Sequence, residues 1–108
     1  MDIRTVKPAI EAYIAKVGKR IKIDSVLLYG SLARGEAKAN DVDLLVLSAD
    51  FASMDADDRL KLLYRLSAGF PYDLHVYGFA PDEFKQASPL TAAGQIKNGR
   101  IISFLLQS

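Results

Sequence analysis

An apolar run from Ile23 to Tyr29 breaks off at Gly30-Ser31. After a short loop carrying Arg34 and Lys38, two carboxylates, Asp41 and Asp43, open a second apolar run from Val42 to Leu47. Both runs are short and rich in aliphatic and β-branched residues, which predicts strands. The second is apolar on both faces and so belongs in the middle of a sheet. Gly30-Ser31 turns the chain into a brief helical segment that Gly35 stops. Side chains alternate along a strand, so Asp41 and Asp43 point the same way. Two carboxylates on one face repel unless something positive lies between them. Magnesium suits that role, because it takes oxygen ligands and keeps positions open for substrate phosphates. The plain alternative is a strand-initiating turn, since Asn40-Asp41 is a common turn pair and Asp43 would then be an exposed neighbour. Gly30-Ser31 is equally two-sided. It serves as a tight turn and helix cap, or it offers free N–H groups that attract an anion.

Around this segment the pattern alternates between helix and strand. Ile3, Val6, Ile10, Tyr13, Ile14 and Val17 recur at helical spacing and predict an amphipathic helix ending near Gly18. Pro8 fits that helix only within its first turn, where a missing N–H costs little. Asp55, Asp57 and Asp58 crowd a helix start, where carboxylates complement the dipole. Leu60, Leu63 and Leu66 form that helix's buried face, and Gly69 and Pro71 end it. Tyr72 to Tyr77 reads as a third strand. Pro81-Asp-Glu and Ser88-Pro89 read as two further helix starts. Asn98-Gly99 closes the last helix, and Arg100 to Leu106 is apolar enough for a final strand or packed tail. The order predicts one α/β (α+β) domain over residues 1–108, with helices packed on a small mixed β-sheet.

Composition removes several function classes. Fourteen Lys and Arg against 13 Asp and Glu leave a formal charge of +1, which gives no electrostatic footprint for long nucleic acid. With no cysteine there is neither a disulfide nor a thiolate metal site. No apolar run approaches the roughly 18 residues of a membrane span, and the charged N-terminus lacks a signal-peptide core. The default expectation is a cytoplasmic protein.

Beyond Asp41 and Asp43, a site for two metal ions about 3.5–4 Å apart needs a third acid. Asp73, near the start of the third strand, is the best candidate, unless it merely faces water at the strand edge. His75 shares its face and is expected to be hydrogen-bonded in place rather than a ligand. Arg34 is suited to clamp an anion, or else pairs with Glu36 at the surface. The Asp55, Asp57, Asp58 cluster is read as a helix-start device.

Gly30-Ser31-Leu-Ala33-Arg34-Gly35 followed by Asp41-Val-Asp43 resembles the signature of the nucleotidyltransferase superfamily, and specifically its small stand-alone members, the minimal nucleotidyltransferases. The resemblance is strong over residues 26 to 47 and extends through Asp73. It departs at Asn40, where the family usually has Ser. It implies the nucleotidyltransferase fold and Mg²⁺-assisted attack of a hydroxyl on the α-phosphate of a nucleoside triphosphate such as ATP, releasing pyrophosphate. By position, Gly30 and Ser31, with Arg34, would bind phosphate. Asp41 and Asp43 would ligate magnesium, in a site of two ions. Asp73 would complete that site and help to deprotonate the acceptor. Larger relatives carry a second domain that grips the base or the acceptor. Minimal members often pair instead with a helical HEPN-family toxin, adenylylating its tyrosine as an antitoxin. Ile102, Phe104 and Leu105 would serve that contact, unless they simply pack in the core. Two alternatives remain open here: a non-catalytic antitoxin acting by contact, and transfer to a small molecule such as an aminoglycoside or to an RNA end.

Overall fold

A computed structural model describes residues 1–104. Its four strands are β1 (Ser25–Tyr29), β2 (Asp41–Leu47), β3 (Asp73–Phe79) and β4 (Ile102–Phe104). They form one mixed sheet in the order β3-β2-β1-β4. β1 is antiparallel to β2 and β4, and β2 is parallel to β3. The central position predicted for the second apolar run is therefore observed.

Five helices join these strands: α1 (Ile3–Gly18), α2 (Gly30–Ala33), α3 (Ala56–Arg65), α4 (Pro81–Lys85) and α5 (Ala92–Asn98). α1, α2 and α3 cover one face of the sheet. Val6, Ile10 and Val17 of α1 meet Val42, Leu44 and Val46 of β2 there, with Leu32, Phe51 and Leu63 filling the space between. A smaller core on the opposite face joins Leu27, Leu45 and Leu47 to Phe84 of α4 and Ala93 of α5. These two helices shield only the end of that face nearest Leu47. The end where β2 and β3 begin stays open.

Local chemistry sets most helix boundaries. Asp2, Asp55 and Thr91 each accept a backbone N–H in the first turn of α1, α3 and α5, a cap worth about 1 kcal/mol. Asp57 and Asp58 follow in the first turn of α3 as expected. Tyr13 acts at that helix's other end. Its hydroxyl donates to the Leu63 carbonyl at 2.7 Å in a buried setting, satisfying one of the acceptors that a helix C-terminus leaves free. Burial holds that hydroxyl protonated, pushing its pKa up.

Several expectations need correction. Pro8 lies in the second turn of α1 rather than the first. Both Pro8 and Arg4 are exposed, so water can take the Arg4 carbonyl that the proline ring leaves without a donor. On α3 the buried positions are Arg59 and Leu63, with Leu62 and Leu66 packed beside them, while Leu60 is only half-buried. Ser88-Pro89 forms a turn, and Thr91 starts α5 instead. Ile102 and Phe104 pair with Leu28 and Val26 and pack against the large core, which is the plain reading of those residues. Leu105 and Leu106 lie outside the described residues.

Candidate active site

Three strand ends meet at the open part of the sheet. β1 ends at Tyr29, and β2 and β3 begin at Asp41 and Asp73. Across the sheet Asp41 pairs with Asp73 in one row, and Tyr29, Asp43 and His75 form the next. Residues in register share a face, so Asp41, Asp43, Asp73 and His75 stand together with Tyr29. The expectation that Asp73 lies on a strand beside the Asp pair is met by the backbone register.

Gly30, at the start of α2, lies against the Asp43 side chain. Its φ is +76°, in the left-handed region, and a Cβ there would sit 3.0 Å from the Asp43 Cγ and collide with the carboxylate. Only glycine combines that backbone with that proximity. No side chain caps the start of α2, and Gly30 at that start lies beside the Asp43 carboxylate. Ser31 follows directly, half-buried in the first turn of α2.

Burial lifts the Asp43 carboxyl above the usual carboxylate range. His75 opposes the shift, Asp41 adds to it, and Arg34 opposes it more weakly. An acid with a raised pKa and no positive partner in contact is primed for a cation. His75 does not supply that contact. Its Nε2 is 3.9 Å from Asp41 Oδ2 and its side chain is 55 % exposed, so the expected hydrogen-bonded histidine is absent; the distance exceeds hydrogen-bond range. Arg34 donates Nε to Glu36 Oε2 at 2.6 Å with both side chains half in water, the plain alternative considered for it. Such a surface pair is worth about 0–1 kcal/mol, little enough for an incoming anion to displace.

Among the described residues no three His, Asp or Glu side chains are drawn together closely enough to hold an ion by themselves. Asp73 is exposed at the first residue of β3. The donor set nonetheless fits magnesium, which is commonly held through one or two carboxylates and completes its shell with water and substrate phosphates. Asp41 and Asp43 supply those carboxylates.

Sequence reasoning missed two features, one beside the carboxylates and one on the opposite face. Tyr29 and Tyr77 border the carboxylates, although Tyr77 continues the alternate spacing of Asp73 and His75 and was visible in that pattern. The second is Arg59, buried between α3 and the sheet. Its Nη1 and Nη2 donate to the two oxygens of Glu83 at 2.7 and 3.0 Å, its Nε to the Met54 carbonyl at 3.0 Å, and Nη1 also to Gly78 at 3.2 Å. An arginine on an otherwise apolar helix face was the available signal.

The fold has parallels among solved structures. A protein of Sulfolobus solfataricus assigned as a nucleotidyltransferase superposes with a TM-score of 0.65 at 22 % identity, over 94 % of this chain and 80 % of that one. A mutant MntA–HpeT toxin–antitoxin complex gives 0.58 at 23 %, over 88 % and 71 %. A complex of a tri-AMPylated HEPN toxin from Shewanella oneidensis with its MNT antitoxin gives 0.51 at 22 %, over 78 % and 60 %. At these identities the likeness is one of fold. No curated protein matches the chain. A family model for the nucleotidyltransferase domain matches residues 10–103, a span that takes in Gly30, Ser31, Asp41, Asp43, Asp73 and the whole of β1, β2 and β3. The chain belongs to the nucleotidyltransferase domain family.

Proposed function

We propose that this domain transfers an adenylyl group from ATP, with Mg²⁺, to a tyrosine hydroxyl on a helical HEPN-type partner in the cytoplasm, and so acts as an antitoxin. One observation carries the reading. A desolvated carboxylate, Asp43, stands beside Asp41 and the uncapped start of α2, with Asp73 in register on the next strand. Gly30 and Ser31 hold the phosphates that leave. Asp41 and Asp43 hold magnesium, which, when bound, neutralises charge on the α-phosphate and the departing pyrophosphate. Asp73, on the same face but across β2 from Gly30, accepts the proton of the attacking hydroxyl, so that the O–P bond forms as the bond to pyrophosphate breaks. Positioning and electrostatics supply most of the acceleration in such transfers. Support for the acceptor comes from the MntA–HpeT and MNT–HEPN complexes that share the fold, one of them with an AMPylated toxin.

Co-incubation of the domain with the helical protein encoded beside it, ATP and Mg²⁺ is the test. Mass spectrometry is expected to find AMP on a partner tyrosine and the partner's toxicity lost. An unmodified but silenced partner favours the second reading, neutralisation by contact. Neutralisation that survives in an Asp41→Asn/Asp43→Asn variant decides for contact.

A further inference from the structure

In-line displacement fixes directions on this face. On the proposed reading, pyrophosphate would depart toward Gly30 on the β1 side, the acceptor would approach from the β3 side over Asp73, and the nucleoside would leave the α-phosphorus across that axis. One such direction runs down the sheet, along the strands. The next row there is Leu27, Leu45 and Tyr77. Leu27 and Leu45 are covered by the second core, whereas Tyr77 is 45 % exposed. Tyr29, half-buried, stands in the row above on the other side of β2. The two tyrosines stand on the strands that flank β2 on either side. The Tyr29 hydroxyl, held protonated mainly by burial, is also influenced by the Asp43 carboxylate and by Tyr77.

We infer that Tyr77, with Tyr29 opposite it, forms a seat on which the base of the nucleotide donor stacks, so that the site takes a nucleoside triphosphate in preference to a bare polyphosphate. This rests on the nucleotidyltransferase reading and adds the base-binding half to it. The row spacing supports the placement. One row along a strand and one strand across put Tyr77 about 8 Å from Asp43, within reach of a ribose. Alternation accounts for the choice of residues as well. Asp73, His75 and Tyr77 occupy successive positions on one face of β3, so a single strand presents an acid for the acceptor and an aromatic ring for the donor. Every nucleobase offers a π-face, so the seat recognises a base without selecting among the four.

The test is calorimetric titration of the full chain with Mg-ATP and with Mg-tripolyphosphate, for the native protein and for Tyr77→Ala and Tyr77→Phe. Tyr77→Ala is expected to weaken ATP binding about 5- to 150-fold, the range of a lost base–aromatic stack. Tripolyphosphate affinity stays unchanged, and Tyr77→Phe, which keeps the ring, behaves as the native chain. Since the chain contains no tryptophan, Tyr77→Trp supplies a sole reporter whose fluorescence ATP quenches and tripolyphosphate does not. Unchanged ATP affinity in Tyr77→Ala overturns the seat, as does an equal loss for both ligands, which would place the damage in the fold or the phosphate site. Native ATP affinity with poorer transfer to a partner also overturns it and assigns Tyr77 to the acceptor. A native chain that binds neither ligand sinks the nucleotide reading itself.

Discussion

Replacing Gly30 with alanine tests how the fold builds its site, because two separable penalties meet at that position. Gly30 has φ +76°, and an L-residue held there loses about 1–2 kcal/mol. Part of this, about 0.4–1 kcal/mol, is offset by the stiffer unfolded chain. The new methyl must also displace the Asp43 carboxylate, whose Cγ would be 3.0 Å away. Overpacking of that kind costs about 1–3 kcal/mol. Gly35 provides the control, since it has φ +74° and nothing within 4 Å of its would-be Cβ. Gly35→Ala is therefore expected to cost about 0.5–1.5 kcal/mol and Gly30→Ala about 2–4 kcal/mol. In a domain of this size those values correspond to melting shifts of about 2–6 °C and 8–16 °C. The assay is thermal denaturation followed by circular dichroism, with label transfer from ATP measured on the same samples. Gly30→Ala loses transfer and Gly35→Ala keeps it. Asp43→Ala leaves only a Cβ at 3.4 Å from the added methyl, so in that background Gly30→Ala should fall to the cost of Gly35→Ala. Equal shifts for the two glycines, or no coupling to residue 43, would refute the reasoning.

Other expectations follow from the same packing. Glu83→Gln weakens the Arg59 bridge and lowers stability by about 1–2 kcal/mol at neutral pH, the half-exposed carboxylate moderating the loss. The hydrogen bonds from Arg59 hold the Glu83 carboxyl below its usual range. Below that range the unfolded chain binds more protons than the native one, so stability falls as pH falls through the folded value. Glu83→Gln removes that share of the acid sensitivity, which makes the acid limb of a pH–melting profile shallower. Tyr13→Phe leaves the Leu63 carbonyl without its buried donor and costs about 1–2 kcal/mol, read as a lower urea midpoint at unchanged slope. Asp43→Asn abolishes transfer yet melts no lower than the native chain in EDTA, because the charge it removes is one that burial disfavours. A clear drop in its melting temperature would contradict that assignment.

Much of this site was legible because its information is local. The Gly30-Ser31 turn, the Asp-x-Asp entry into β2 and the start of β3 at Asp73 each follow from periodicity and residue type within a few positions. Alternation alone then predicts a shared face. What escaped the sequence depends on partners far along the chain. Glu83, 24 residues from Arg59, turns a buried guanidinium from a liability into a clamp between α3 and α4. Pro8 was placed by a local rule that tertiary exposure relaxed. His75 makes no hydrogen bond among the described residues, since its nearest carboxylate, Asp41, stays 3.9 Å away and both side chains are about half exposed. The α5 start moved from Ser88-Pro89 to Thr91 because the Thr91 hydroxyl accepts the Gly94 N–H at 3.1 Å, a choice between two adequate caps that local chemistry does not decide.

The most direct measurement is the rate at which label from α-labelled ATP reaches the helical partner in the presence of Mg²⁺. The native chain should be compared with Asp41→Asn, Asp43→Asn and Asp73→Asn, and with Asp57→Asn from the start of α3 as a control. The carboxylate face predicts a loss of ~100-fold or more in each of the first three and native transfer in the control. Native rates in Asp41→Asn and Asp43→Asn would contradict the assignment of this face as the site of chemistry.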